Sequence, residues 1–417
     1  MDPETRRPLA GIDAVIDSLL HSSFGMVPDD LADAVTLLTD THTGARDVQL
    51  LLVDLDQEVL TPLAGGEPLW VEWSAAGQAF REEQPVVERT PLGRRLWLPI
   101  LDSAERVGVL GLTAGEDVAI DDWLSLTSLL GELVVSKEKY GDVIAEVRRR
   151  RPVSVAAEMR WSMLPPLTFS SPIVGVSGIL QPSYGVAGDA FDYAVDRTHA
   201  TVAIFDAMGH GMHASRLANL AVGSFRSLRR GGASPEAALV EMDSLIEDQF
   251  EDVAFVTAQI VTLDLETGVA RVRSAGHPPP VRLRAGTAPQ VLTVSPGLPL
   301  GLGPSRYPAS EVQLEEGDAI LLVSDGVYEA RSPDDQQFGW DRMVDVVQER
   351  FDAGDRLPEV LRRAVRDVMT FQRREPQDER RRNDDATMVL VRWCPASAGQ
   401  PAEPRASEQR EAEGQRP

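Results

Sequence analysis

The sequence predicts an α+β protein in which an N-terminal α+β module is joined by a helical linker to a C-terminal β-sandwich flanked by helices. The first part of the chain, about 140 residues, follows the order helix, strands, short helix, strands, helix. Apolar residues then recur at helical spacing from Asp122 to Met163. From Ser171 to Trp393 short alternating strands are interrupted by paired helical blocks, which is typical of a layered β-sandwich.

Composition excludes several classes of protein. A length of 417 residues allows two or three domains. The net charge of −24 argues against a nucleic-acid partner, because phosphate backbones attract basic surfaces. Cys394 is the only cysteine, so neither disulfides nor a cysteine-based zinc site is expected. The N-terminus has no signal-peptide pattern and no apolar run approaches ~20 residues, so we expect a cytoplasmic protein without a membrane association.

The N-terminal module is predicted at residues 11–132, after a flexible lead-in at 1–10. It resembles a GAF domain, and the resemblance is carried by four short motifs: Gly77-Gln78-Ala79-Phe80, Pro85-Val86-Val87, Leu98-Pro99-Ile100 and Val107-Gly108-Val109-Leu110-Gly111-Leu112. A PAS-like module is the alternative. The resemblance implies a sensor that binds a small ligand or a protein partner.

The linker is predicted at residues 133–164. Leu133, Tyr140, Ile144 and Val147 recur at seven-, four- and three-residue spacing, which is typical of a helix–helix seam, and we expect a homodimer through it. A plain interdomain helix is the alternative. Pro152 interrupts the helix.

A second linker helix is predicted at Val153–Met163. Val155, Met159 and Met163 lie along one face of it. The C-terminal domain is predicted at 165–394, and the tail at 395–417 is expected to be disordered because it lacks large apolar residues.

Aspartates mark the ends of predicted strands in the C-terminal domain. Asp206 and Asp325 directly follow apolar runs, Asp384 lies shortly before one, and Asp189 precedes a short one. Carboxylates gathered at strand ends repel each other unless a cation lies between them. Oxygen ligands of this kind suit Mg²⁺ or Mn²⁺, so the pattern predicts a divalent metal site.

Five motifs occur in the order typical of the PPM/PP2C-type serine/threonine phosphatases, and the region resembles their SpoIIE/RsbU-like branch. The motifs are Gly188-Asp189-Ala190-Phe191-Asp192, Asp206-Ala207-Met208-Gly209-His210-Gly211, Ala275-Gly276-His277-Pro278-Pro279, Ser324-Asp325-Gly326-Val327-Tyr328-Glu329-Ala330, and Asp384-Asp385-Ala386-Thr387.

The resemblance implies a catalytic set of Asp189, Asp206, Asp325 and Asp384 around two Mn²⁺ or Mg²⁺ ions. Asp189 and Asp206 would bridge the ions, and the main-chain carbonyl of Ala207 would add a ligand. No organic cofactor is expected.

Asp192 and Asp385 would orient ligands or waters around the ions, or act only as strand-end caps. Ser324 and Thr387 are expected to form hydrogen bonds near the ligands. His210 and His277 are assigned structural roles in preference to catalytic ones.

Two positions depart from the family pattern, because Ala187 and Ala207 stand where the family usually has glycine. A carbonyl ligand tolerates alanine only where φ is negative. The resemblance implies a metal-dependent phosphoserine/phosphothreonine phosphatase whose substrate is a phosphorylated anti-sigma-factor antagonist of the STAS type. The alternative is a catalytically weakened scaffold or binding module of the same fold.

Overall fold

The computed structural model describes residues 11–91, 93–115, 119–181, 184–185, 188–250, 254–372 and 385–395. The predicted lead-in, the tail beyond residue 395, Ala187 and Asp384 lie outside the described residues. The N-terminal module consists, in chain order, of α1 (Ile12–Ser23), a 3-10 turn (Pro28–Asp30), α2 (Leu31–Thr43), β1 (Arg46–Val53), β2 (Val59–Pro62), β3 (Leu69–Trp70), α3 (Ala75–Glu82), β4 (Val86–Thr90), β5 (Gly93–Asp102), β6 (Glu105–Ala114) and α4 (Ile120–Lys137).

One antiparallel sheet in the order β3-β2-β1-β6-β5-β4 forms the centre of this module. Helices α1, α2 and α4 pack on one face around Leu31, Leu98 and Trp123. Helix α3 covers the other face around Phe80 and Trp97. The predicted order of helix, strands, short helix, strands and helix is confirmed.

The linker differs from the continuous helical seam that its spacing predicts. After α4 the chain forms two short helices, α5 (Val143–Val147) and α6 (Val155–Met163). Leu133 and Ile144 are buried in the core of the N-terminal module, so the predicted domain boundary falls within α4 and these two side chains are not available for a seam. Tyr140 is 77 % exposed.

The apolar face of the second linker helix is only partly buried, since Met163 packs against the core of the C-terminal domain and Val155 does not. Val155 is 67 % exposed, whereas Ala156, Ala157 and Arg160 are buried. The helix begins where the Ser154 side chain accepts a hydrogen bond from the Ala157 amide, which satisfies one of the unpaired amides of its first turn. Small residues therefore turn toward the protein and the larger Val155 turns outward.

The C-terminal domain contains the remaining elements, which are β7 (Thr168–Ser170), β8 (Val174–Gln181), β9 (Asp189–Val195), β10 (His199–Ala207), α7 (Gly211–Arg230), α8 (Pro235–Gln249), β11 (Val256–Asp264), β12 (Val269–Ala275), β13 (Val281–Leu283), β14 (Gln290–Val291), β15 (Ser310–Gln313), β16 (Ala319–Val323), α9 (Asp325–Tyr328), α10 (Trp340–Asp352), α11 (Leu357–Gln372) and β17 (Ala386–Trp393). The strands form two antiparallel sheets, in the orders β15-β12-β11-β10-β9 and β14-β13-β16-β17-β8-β7.

The two sheets pack face to face. A shared core between them includes Val202, Ile204, Ile320 and Val389. Helices α7 and α8 cover the outer face of the first sheet, and α10 and α11 cover the outer face of the second. The predicted β-sandwich flanked by helices is therefore confirmed for the described residues. No helix in the described part of the chain is long and apolar enough to cross a membrane.

Candidate metal centre

Strand pleating brings polar residues from both sheets to one end of the sandwich. In β10, Val202 and Ile204 face the opposite sheet while Ala203 and Phe205 face the helices, so Asp206 lies on the inner face. Asp189 is the direct cross-strand neighbour of Asp206 and lies on the same face. Two carboxylates thus stand side by side at the rim of the core.

The Asp189 carboxyl group is strongly perturbed by its surroundings. Its residue is 2 % exposed. Burial, followed by the negative charges of Asp206 and Asp385, raises the pKa of Asp189 well above its usual range. Its Oδ2 atom is buried and has no hydrogen-bond partner. A buried, unpartnered carboxylate oxygen beside a second carboxylate is the arrangement that a cation would stabilise.

The second sheet contributes hydroxyl groups to the same place. Ser324 and Thr387 are both buried, and their side chains face Asp189, where they partly offset the rise in its pKa. The Ser324 Oγ donates to the Asp385 carbonyl at 3.3 Å and accepts from the Thr387 amide at 3.0 Å. The Thr387 Oγ1 has no hydrogen-bond partner of normal geometry. Both hydroxyls therefore line the space beside Asp189, as their sequence positions predict.

Asp325 begins the short helix α9 directly after β16. Its charge and that of Asp206 act on one phenol, since burial, followed by Asp325, Glu329 and Asp206, raises the pKa of Tyr328 to about 12. Asp325 is thereby within electrostatic reach of the same region as Asp206. Asp384 lies outside the described residues, so the structure gives no position for the fourth predicted ligand.

Ala207 adopts the extended conformation of β10 and has no positive φ. Its amide donates to the Gly188 carbonyl at 3.0 Å. Alanine therefore introduces no left-handed strain at this position. Gly188 is needed for close packing, since a Cβ atom there would lie 2.9 Å from the Ala207 carbonyl oxygen.

Asp385 binds the backbone that precedes β9. Its Oδ2 atom accepts from the Gly188 amide at 2.5 Å and the Asp189 amide at 3.1 Å. Its Oδ1 atom accepts from Arg160 Nη1 at 2.9 Å, and both side chains are almost fully buried. Asp385 thus contacts the main chain of a predicted ligand residue, and its role in orienting ligands around the ions stays a prediction.

Asp192 has different surroundings from the other aspartates. It lies on the outer face of the first sheet and is buried. Its Oδ1 accepts from Arg226 Nε and Nη2 at 2.9 and 2.7 Å, and its Oδ2 accepts from Arg229 Nη2 at 2.9 Å. These bonds fasten α7 to β9. The contacts therefore describe a sheet–helix anchor, and a role in orienting metal ligands stays a prediction without a direct contact behind it.

The two histidines of the family motifs lie in different settings. His277 is buried, and burial lowers its pKa to about 3, so the ring is neutral. Its Nδ1 lies 2.8 Å from the Thr257 Oγ1, and Thr257 is the cross-strand neighbour of Asp206. His210 is exposed and occupies the N-cap of α7 without a side-chain capping bond. The structural role expected of His277 agrees with this burial.

The described residues fit part of a divalent-cation site. Within them no group of three or more histidine, cysteine, aspartate or glutamate side chains could hold a metal ion. They supply instead the facing pair Asp189 and Asp206, an unpartnered buried oxygen, and carbonyl and hydroxyl oxygens around it. This all-oxygen donor set suits Mg²⁺ or Mn²⁺.

Three residues of this region have no role assigned from the sequence. Thr257 belongs to no motif, and Tyr328 stands in the fourth motif without an assigned role; the fold brings both toward Asp206. Arg160 was overlooked because the apolar stripe on its helix pointed elsewhere. No sequence pattern indicates Arg160, because the carboxylate that it contacts, Asp385, lies 225 residues further along the chain.

The C-terminal part of the chain is similar in sequence to known proteins. Residues 196–394 match the family model described as Stage II sporulation protein E (SpoIIE). The chain is 24 % identical over 181 residues to phosphoserine phosphatase RsbU of Bacillus subtilis (strain 168), covering 43 % of this chain and 54 % of RsbU. It is 22 % identical over 412 residues to Protein IcfG of Synechocystis sp. (strain ATCC 27184 / PCC 6803 / Kazusa), covering 84 % of this chain and 60 % of IcfG.

The chain thus spans between about half and two thirds of the length of these two curated relatives. Among solved structures, the SiaA-PP2C domain of Pseudomonas aeruginosa is similar at 21 % sequence identity with a TM-score of 0.48. That similarity covers 57 % of this chain and 94 % of the SiaA domain.

Proposed function

We propose that this chain, whose residues 196–394 form a SpoIIE-type PP2C domain, is a metal-dependent phosphoserine/phosphothreonine protein phosphatase. The observation that carries the proposal is the facing pair Asp189 and Asp206, with a buried Asp189 oxygen that lacks a partner. The match to phosphoserine phosphatase RsbU supports the same activity. In a hydrolase that binds two metal ions, such carboxylates serve as ligands of the cations.

Asp189, Asp206, Asp325 and Asp384 would hold two Mn²⁺ or Mg²⁺ ions together with the Ala207 carbonyl. Bound divalent cations activate water for attack on a phosphate ester and offset the negative charge on its oxygens. The chain's own part is to fix the carboxylates before binding. The Asp385 carboxylate does this for the Gly188–Asp189 backbone, and the hydroxyls of Ser324 and Thr387 face the same side chain.

The test is hydrolysis of p-nitrophenyl phosphate by the full chain with and without Mn²⁺. Asp206→Asn keeps the size of the side chain and removes its charge, so activity should fall by at least ~100-fold if the carboxylate is a ligand. Arg331→Met, in the exposed pair of Arg331 with Asp335, is the matched control and should retain activity. Metal-dependent turnover that persists unchanged in Asp206→Asn would refute the assignment.

The proposed substrate is a phosphorylated anti-sigma-factor antagonist of the STAS type, and the proposed regulator is the N-terminal GAF-like module. The support is the resemblance to the RsbU-like branch, together with direct bonds between the two parts of the chain. The test compares the rate of phosphate release from the isolated phosphorylated antagonist with the rate from casein-type phosphopeptides. The antagonist should be the faster substrate. Equal rates on both would contradict the substrate assignment.

The proposal includes a homodimer. Leu133 and Ile144 are committed to the core of the N-terminal module, so the surface around exposed Tyr140 is the part of the predicted seam that stays accessible. Light scattering at micromolar concentration should give twice the mass of one chain, and Tyr140→Ala should reduce it. A monomer for the wild type would contradict the dimer without affecting the phosphatase assignment.

The alternative of a weakened scaffold rests on two positions, Ala187 and Ala207, and Ala187 lies outside the described residues. The extended conformation of Ala207 removes the motive at that position. We therefore propose the enzyme rather than the scaffold.

A further inference from the structure

A buried arginine on the linker helix lies against the predicted metal centre. Arg160 belongs to α6 and is 2 % exposed. Ala156 and Ala157 are buried beside it, and the Ser215 hydroxyl of α7 donates to the Ala156 carbonyl at 3.2 Å. These small residues let α6 approach α7 closely enough to enclose a guanidinium. Because a buried guanidinium is costly unless it is paired, its partner is expected to matter.

The partner of Arg160 is Asp385, and Asp385 has a second task. One carboxylate oxygen binds Arg160 Nη1 at 2.9 Å, and the other accepts from the amides of Gly188 and Asp189. One buried carboxylate thus joins the linker helix to the first residues of β9. The Asp189 backbone cannot move away from Asp385 without leaving at least one charge-assisted hydrogen bond unmade.

We infer that Arg160 is a positioning residue, which fixes the Asp385 carboxylate and thereby holds Asp189 opposite Asp206 for binding of the divalent cation. The inference rests on the proposed function. Without the guanidinium, Asp385 is a buried anion beside the Asp189 carboxylate, and its bonds to the amides of Gly188 and Asp189 are less firmly fixed. Cation affinity should then suffer more than the chemical step, because the missing group orients a ligand and touches no substrate.

The experiment compares Mn²⁺ binding to metal-free full-length protein by calorimetric titration. Arg160→Met should raise the Kd for Mn²⁺ by roughly 10–100-fold, as loss of an outer-shell partner does, while turnover of p-nitrophenyl phosphate at saturating Mn²⁺ stays within about threefold. Arg160→Lys restores the charge without the fixed planar fork and should give an intermediate Kd.

Arg284→Met is the matched control. It removes the guanidinium from another buried carboxylate, Asp318, whose oxygens it meets at 2.7 and 2.8 Å; Arg284 directly follows β13 and Asp318 directly precedes β16. That pair has no bond to the β9 backbone. The control should lower stability but leave the Kd for Mn²⁺ unchanged, so general loosening of the sandwich is separated from loss of positioning.

The double variant Arg160→Met with Asp385→Asn covers the case in which Arg160→Met does not fold. It removes both buried charges, retains an oxygen that can accept from the amides, and should restore folding while the Kd for Mn²⁺ stays at least ~10-fold above wild type. Wild-type affinity in a folded Arg160→Met or double variant would overturn the inference. If the wild type neither bound Mn²⁺ nor showed turnover, the proposed function itself would be refuted.

Discussion

An ion cluster joins the two parts of the chain. Replacing its glutamate should lower the free energy of unfolding more than replacing one of its arginines. Glu359 of α11 accepts from Arg106 Nη1 of β6 at 3.1 Å, from Arg362 Nε at 2.8 Å and from Arg363 Nε at 2.7 Å. The side chains of Arg106, Glu359 and Arg362 are only 3–4 % exposed. One carboxylate thus serves three guanidinium groups.

The structure sets the magnitudes. Arg106→Met leaves Glu359 with two arginines and should cost about 3 kcal/mol, the lower end for a broken buried pair. Glu359→Gln leaves Arg106 without a carboxylate partner and should cost about 4–5 kcal/mol. The pKa of Glu359 gives a figure of the same order: burial raises it, but Arg362 and Arg106 outweigh burial and lower it from 4.5 to about 2, which corresponds to about 3 kcal/mol.

The sign of this contribution follows from the lowered pKa. Stabilisation by Glu359 is fully present above about pH 4.5 and is lost as the pH falls toward 2. Differential scanning calorimetry at pH 7 should show the Tm of Arg106→Met lowered by roughly 6–12 °C, the shift that about 3 kcal/mol causes in a cooperative unit of 150–250 residues. The double variant Arg106→Met with Glu359→Gln should lose less than the sum of the single variants.

Arg331→Met again serves as the control, because its pair with Asp335 is exposed and should contribute less than ~1 kcal/mol. A Glu359→Gln variant that loses less than Arg106→Met, or that melts within 1 °C of wild type, would refute the reasoning.

Two further predictions concern the site and the interface between the two parts of the chain. Gly188→Ala brings a Cβ atom within 2.9 Å of the Ala207 carbonyl oxygen and should lower Mn²⁺-dependent turnover by roughly 10–100-fold, because small displacements of reacting groups are expensive. Gly223→Ala in α7, whose Cβ would meet nothing closer than 3.9 Å, should be neutral, and equal activities would contradict the packing argument. Burial raises the pKa of Glu105 to about 7, so its folded state holds the proton more tightly and stability should fall as the pH rises from about 4.5 to 7. The free energy of unfolding, measured with urea, should fall over this pH range in wild type and fall less in Glu105→Gln. An identical pH dependence in both proteins would rule out Glu105 as its source.

The sandwich could be predicted from the sequence because period-two alternation persists within single strands. Val202 and Ile204 face one layer while Ala203 and Phe205 face the other, and this pattern needs no knowledge of distant residues. The same alternation places Asp206 on the inner face. Sequence position alone therefore predicted an acidic strand end at the rim of the core.

The faces of the linker helices could not be predicted in this way. Apolarity favoured Val155, but close approach of α6 to α7 selects the small side chains of Ala156 and Ala157 instead. The guanidinium of Arg160 is buried only because Asp385, 225 residues later, compensates its charge. Local periodicity carries no information about a partner so far along the chain. The surroundings of Asp192 could not be predicted for the same reason, since Arg226 and Arg229 complete them.

The bonds between the N-terminal module and the rest of the chain are polar, and this has a physical consequence. Among the described residues, the apolar clusters of the N-terminal module contain no residue beyond Val147, and those of the sandwich contain none before Met163. Each part therefore keeps its own core. The connecting bonds, such as those of Glu359 with Arg106 and of Arg150 with Glu58, demand a defined relative position but return little net free energy after desolvation. The relative position of the two parts therefore rests on charged contacts, and Arg160 extends this set of contacts to the Asp385 carboxylate that binds the Asp189 backbone.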